Sequence, residues 1–173
     1  MSDRLTIGDF TTDRLRVEDW NGALAHPDTR VTLEGELQKV LTPEVLAHLP
    51  GPLQLGSGAD AVKDWVSGRA EESDVFTIYG QPSGELIGLL IVFVEEGSGH
   101  IGYLLGKDHW GKGYATELLR GLIKAAQRAG LVRLAGGVGA DNPASARVLE
   151  KAGFLCDRDT SDDATNVYVM TLF

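Results

Sequence analysis

Apolar residues recur at three- and four-residue steps from Ala115 through Leu118, Leu119, Leu122, Ile123 and Ala126 to Ala129. Thr116, Arg120, Lys124 and Gln127 fill the other side, so the pattern predicts an amphipathic helix that Gly130 ends. Before it the pattern is β. Val75 to Tyr79 reads as a strand and Gln81-Pro82-Ser83-Gly84 as a turn. Leu86 to Val94 is apolar on both faces, which predicts a central strand covered on both sides. Glu95 to Gly99 turns the chain into a strand over His100 to Leu105, completing an antiparallel meander. After the helix, Val132 to Val138 reads as a strand. Asn142-Pro143 reads as the cap and first turn of a helix running through Lys151, which Gly153 stops. Val167 to Leu172 reads as a closing strand.

The first third is less regular. Leu15 to Val17 predicts a short strand ending at Trp20. Pro27, Pro43, Pro50 and Pro52 punctuate residues 27–57 and predict short helices and loops. Thr42-Pro43-Glu44 has the form of a helix start. Residues 59–70 predict a second helix, with Val62, Trp65 and Val66 on one face. Helices separate strands only in the second half. The expectation is one domain over residues 1–173, of α/β class, with a mixed, mostly antiparallel sheet of about six to seven strands and helices on both faces.

The net charge of −9 argues against nucleic acid as a partner, since phosphate neutralisation needs a basic face. The charge is uneven. Residues 107–151 carry eight basic and four acidic side chains, leaving −13 on the remainder. A polyanion is expected at the basic stretch, and a cationic acceptor elsewhere. The longest uncharged apolar run, Leu86 to Val94, is nine residues, too short to cross a membrane. Met1-Ser2-Asp3-Arg4 lacks the apolar run of a secretory signal, so a cytoplasmic location is expected. A single cysteine, Cys156, excludes an intrachain disulfide and is expected to be buried or half-buried. No Cys/His spacing suggests a metal.

The candidate chemistry lies in His109-Trp110-Gly111-Lys112-Gly113-Tyr114-Ala115-Thr116-Glu117, between a strand and the strongest helix. Two glycines one residue apart let a ligand approach the backbone closely. The helix behind them offers free N–H groups and a positive dipole end, which together suit a phosphate or pyrophosphate. The same glycines also suit a plain turn.

The order of strand, glycine loop, helix, strand and Asn-led helix resembles the GNAT superfamily of acetyl-CoA-dependent N-acyltransferases. The resemblance rests on Ile101 to Leu105, on Trp110 to Glu117, and on Asn142 to Phe154. Thr11-Thr12-Asp13-Arg14-Leu15-Arg16 is similar to the first strand of the subgroup that acetylates ribosomal-protein N-termini. The resemblance implies a three-layer fold and acetyl-CoA as acyl donor, bound through Tyr103, Leu104, Leu105, Trp110, Gly111, Lys112, Gly113, Tyr114, Ala115, Asn142 and Ser145. Tyr103 to Leu105 would pair with the pantetheine arm, and the loop would hold the phosphates. No metal is implied, because the donor already carries an activated acyl group.

Two positions depart from the family pattern. The loop usually begins with Gln or Arg, where this chain has Asp108. A tyrosine that serves the leaving thiolate in many members falls on Leu149. The resembled subgroup often has a serine that matches Ser145, three residues after Asn142, and the resemblance therefore implies Ser145 as the candidate hydrogen-bond donor to the thiolate, although both residues also suit capping. His100 is the candidate base, because an imidazole titrates near neutral pH; Glu95 and Glu96 read as turn charges. His26, His48 and His109 have no partner pattern. Trp20 and Trp65 suit either the core or an acceptor-cleft wall.

The expected reaction is acetyl transfer to a primary amine of a small molecule or a protein N-terminus, by direct attack in a ternary complex. The alternative is a non-catalytic acyl-CoA-binding sensor or regulatory module. A nucleotide-binding domain of another class lacks its Gly-x-x-x-x-Gly-Lys-Ser/Thr or Gly-x-Gly-x-x-Gly loop. A monomer and a homodimer are both compatible with the sequence.

Overall fold

The computed structural model describes residues 5–47, 49 and 51–172; Met1 to Arg4, His48, Pro50 and Phe173 lie outside them. One sheet of eight strands organises the fold, in the order β1-β2-β3-β4-β5-β6-β8-β7. The strands are β1 Phe10–Thr11, β2 Leu15–Asp19, β3 Asp74–Gly80, β4 Leu86–Glu95, β5 Ser98–Leu105, β6 Arg133–Gly139, β7 Leu155–Asp157 and β8 Thr165–Thr171. Every neighbouring pair is antiparallel except β5 and β6, which run parallel. The sheet is larger than the pattern predicts because β1 and β7 span two and three residues, too few to register a period of two.

Helices cover both faces. On one side α5 Tyr114–Arg128 and α6 Pro143–Lys151 bury Leu118, Leu119, Leu122 and Leu149 against Leu90, Val92, Ile101 and Leu134 of the sheet. On the other, α1 Asn21–Leu24, α2 Pro27–Val40, α3 Pro43–Leu46 and α4 Ala61–Glu72 enclose a second core. It contains Leu33, Leu37, Trp65 and Val66, packed on Val75, Leu89 and Leu104. Trp20 and Trp65 are both buried there, and the Trp65 indole N–H donates to the Leu53 carbonyl at 2.8 Å.

Residues 27–57 contain a helix longer than expected, since α2 has fourteen residues. Pro27 is its first residue rather than a break, and the helix buries only Leu33, Leu37 and Val40, about one residue per turn on a mostly polar cylinder. At α3 the expected start is present, but Thr42 makes no capping hydrogen bond and its hydroxyl is buried without a partner.

The β4–β5 hairpin turns at Glu96 and Gly97, both with positive φ, the two-residue geometry that matches strand twist. In β4 the pairing with β3 slips. Tyr79 faces Leu86 and Ile78 faces Gly88, which leaves Ile87 as a bulge. Cys156 corrects an expectation: it is exposed on the short edge strand β7, with its sulfur 3.9 Å from Ser161 Oγ. Among the described residues no helix is long and apolar enough to cross a membrane.

Candidate functional site

The sheet opens between β5 and β6. The two strands pair from Ser98↔Arg133 to Ile101↔Gly136 and then part, although β5 continues to Leu105 and β6 to Gly139. Gly106 N–H donates to the Ile87 carbonyl on the β4 side. By strand alternation, the backbone groups of Tyr103 and Leu105 therefore face the gap. Leu104 is turned the other way. A Cβ on Gly88 of β4 would lie 2.1 Å from the Leu104 carbonyl oxygen, and the Leu104 side chain is buried beneath α1–α4. The Leu105 carbonyl accepts the Trp110 indole N–H at 2.9 Å, which pins the following loop to the end of the strand.

That loop ends at α5. Lys107–His109 forms a single 3-10 turn, and Gly111 and Gly113 follow with φ of 71° and 81°. Both values lie in the left-handed region where a Cβ is strained. A Cβ on Gly111 would meet no protein atom within 4 Å, so the space beside it is open. No side chain caps α5, and its first backbone donor with an intrahelical partner is Glu117, to the Gly113 carbonyl at 3.1 Å. The amides of Tyr114, Ala115 and Thr116 are thus the free donors of the helix start. Lys112 and Trp110 are exposed, and Tyr114 is half-buried.

Across the gap, Asn142 caps α6. Its Oδ1 accepts from Ser145 N–H at 3.3 Å, and its Nδ2 donates to Ser145 Oγ at 3.0 Å. Because Ser145 Oγ accepts that bond, its own proton is available to a further acceptor. Beside it lies the Tyr103 hydroxyl, which is buried and makes no close hydrogen bond. Burial pushes the Tyr103 phenol up to about 12, offset only in part by the Ser145 side chain.

A strand edge left open, a glycine turn and an uncapped helix start meet at one end of the sheet. Residues 30–155 match the model of the acetyltransferase (GNAT) domain. The chain belongs to the GNAT acetyltransferase family. The uncharacterized N-acetyltransferase p20 of Bacillus licheniformis is 38% identical over 55 residues, which are 30% of this chain. The match spans only 31% of that relative's length. A GNAT-family acetyltransferase structure from Bacillus anthracis superposes with a TM-score of 0.75 at 15% identity, over 94% of this chain and 98% of the other. RimL, a ribosomal L7/L12 alpha-N-protein acetyltransferase in complex with coenzyme A, superposes with a TM-score of 0.67 at 19% identity, over 98% of each chain. These two likenesses establish the GNAT fold.

Within this GNAT domain His100 stands apart from the other candidate residues. It is exposed in β5, one residue before the pairing with β6 ends, on the sheet face opposite Tyr103. Its ring lies 6.3 Å from that of Phe93. Asp108 is exposed in the 3-10 turn. In the same turn Lys107 pairs with Glu44 at 3.4 Å, and His109 lies 3.7 Å from Glu85. Backbone hydrogen bonding and Lys107 hold the Glu44 carboxyl below its ordinary range.

The glycine loop also has a backing that sequence reasoning missed. Arg14 and Thr12, in the turn between β1 and β2, both bind Glu117 of α5. Burial works to raise the Glu117 carboxyl, but the hydrogen bonds from Thr12 and Arg14 and the Arg14 charge hold it below the ordinary range. The only sequence signal for this contact is the Thr11 to Arg16 segment, which carries no information about its partner.

Proposed function

We propose that this protein transfers an acetyl group from acetyl-CoA to a primary amine, of a small molecule or a protein N-terminus, by direct attack in a ternary complex. The observation that carries the reading is the parting of β5 from β6 beside the start of α5. An extended arm can hydrogen-bond the free edge at Tyr103 and at the Leu105 N–H, the Leu105 carbonyl being held by Trp110, and a pyrophosphate can take the amides from Gly111 to Thr116. RimL, which shares the fold, is in complex with coenzyme A. The −13 carried outside residues 107–151 favours a cationic amine as acceptor.

Acetyl-CoA supplies an acyl group already activated as a thioester and a thiol leaving group. The chain's own residues then have three tasks. The edge and loop amides fix the donor, so that amine and carbonyl meet as if in one molecule. A backbone N–H of β5 polarises the carbonyl as the N–C bond forms. Ser145, whose hydroxyl proton is not used by Asn142, hydrogen-bonds the sulfur as the C–S bond breaks. Ser145→Ala therefore lowers turnover by about 10- to 100-fold, corresponding to ~1.4–2.7 kcal/mol. CoA affinity stays nearly constant, because the Asn142 cap binds the Ser145 backbone N–H, which alanine retains. Unchanged turnover would leave Ser145 a capping residue only.

No histidine or carboxylate is hydrogen-bonded to Tyr103 or Ser145 among the described residues. His100 faces the other side of the sheet, so the amine loses its proton to water. The pH–rate limb then tracks the acceptor's own pKa and moves when the acceptor is changed. Profiles for two amines of different pKa test this. A midpoint common to both amines, and lost in His100→Ala, would make His100 the base.

Thiol release from acetyl-CoA across a panel of amines tests the reading as a whole. Release that depends on an amine is the expected result. Tight CoA binding with no turnover on any amine would instead identify a sensor of acyl-CoA.

A further inference from the structure

We propose that Arg14 is a positioning residue that sets the phosphate loop from behind; this rests on the reading that the loop binds the CoA pyrophosphate. Arg14 lies in the turn between β1 and β2, about a hundred residues before the loop in sequence. Its Nη1 donates to the Lys112 carbonyl at 2.9 Å and its Nε to Glu117 Oε1 at 2.7 Å. Its backbone N–H donates to Glu117 Oε2 at 2.8 Å, and its guanidinium lies 4.4 Å from the centroid of the Tyr114 ring. Thr12 Oγ1 adds a further hydrogen bond to Glu117 Oε2.

The bond to Lys112 has a geometric consequence. In a trans peptide the C=O and the following N–H point in opposite directions. With the Lys112 carbonyl drawn towards Arg14, the Gly113 N–H is directed to the opposite side of the loop, where a phosphate would lie. A Cβ on Gly113 would approach Arg14 Nη2 to 3.4 Å, so the guanidinium lies directly behind this glycine. Tyr114, Glu117 and Gly121 follow at three- and four-residue steps, so one stripe of α5 faces the turn. Gly121 completes the seat: a Cβ there would come within 2.7 Å of Thr12 Cγ2 and 2.8 Å of Phe10 Cε2. The turn is itself held from behind, by Gln81 N–H to the Arg14 carbonyl at 2.8 Å and Gln81 Nε2 to the Leu15 carbonyl at 3.0 Å.

Arg14 neutralises Glu117, so it acts through peptide orientation rather than by adding positive charge to the site. The effect is specific to ligands that carry the pyrophosphate. CoA and pantetheine, which lacks it, are titrated against wild type, Arg14→Ala, Arg14→Lys and Glu117→Gln. In Arg14→Ala, CoA affinity falls by about 10- to 100-fold while pantetheine affinity moves by less than about threefold. Arg14→Lys keeps the charge without the planar fork and follows Arg14→Ala within about threefold. Glu117→Gln keeps one acceptor oxygen and puts an NH2, which cannot accept, in place of the other, so part of the contact with Arg14 and Thr12 is lost; it reduces CoA affinity by about 3- to 10-fold and serves as the test should Arg14→Ala not fold. CoA affinity within about threefold of wild type in these variants, or an equal loss for both ligands, overturns the role of Arg14. Wild type that binds no CoA overturns the phosphate-loop reading itself, an outcome distinct from the other two.

Discussion

Gly111→Val and Gly113→Val each weaken CoA binding by at least about 100-fold while the protein remains folded. At φ of 71° and 81° a β-branched residue is forced out of its allowed region, and the loop must rearrange. The rearrangement is local, because both glycines are exposed. The Gly111 Cβ would meet no protein atom within 4 Å, and the Gly113 Cβ only the far end of the Arg14 side chain. Backbone strain of about 1–3 kcal/mol in an exposed loop leaves the two cores intact. What is lost is the space and the amide directions that a phosphate needs. Calorimetric titration with CoA, alongside thermal melting, reads both quantities. Wild-type affinity in both variants would show that the glycines make only a turn.

Gly88→Ala has the largest effect on stability. Its Cβ would stand 2.1 Å from the Leu104 carbonyl oxygen and 2.9 Å from Leu105 Cδ2. The oxygen belongs to the backbone of a central strand, so no rotamer change relieves the clash. Either β4 separates from β5 or β5 shifts, and β5 is the strand whose free edge forms the gap. The expected loss is about 3 kcal/mol or more, beyond ordinary overpacking. Gly102→Ala in β5 is the comparison. No atom lies within 4 Å of its Cβ, and its unfolding free energy changes by less than about 0.5 kcal/mol. Denaturant unfolding of both variants measures the difference. A loss below about 1 kcal/mol in Gly88→Ala would mean that the two backbones are not so close.

The parts of the site legible in the sequence are those whose chemistry is local. Two glycines before an amphipathic helix announce a left-handed turn and an uncapped helix start, and Gly111, Gly113 and α5 have that geometry. Asn142 before Pro143 announces a cap, and the structure adds only its second bond, to Ser145 Oγ. The meander β3–β4–β5 was legible because apolar runs and turn residues alternate cleanly over it.

What the sequence hides is set by distance along the chain. The contact between Arg14 and Glu117 closes a separation of 103 residues, and nothing in either neighbourhood names the other. The length over which β5 pairs with β6 is likewise a property of two strands, so neither strand alone reveals the gap. Cys156 is exposed because β7 is a three-residue edge strand, a position that composition cannot foresee. Helix α2 hides for a different reason. Its few apolar positions give almost no periodic signal, and the prolines around it look like breaks.

The most direct test of this account is a crystal structure of the complex with CoA. The expected result is the pyrophosphate on the amides from Gly111 to Thr116 and the pantetheine arm along the free edge at Tyr103 and the Leu105 N–H. The sulfur is expected within hydrogen-bond reach of Ser145 Oγ. Pyrophosphate density anywhere else, or a pantetheine arm lying outside the gap between β5 and β6, would contradict it.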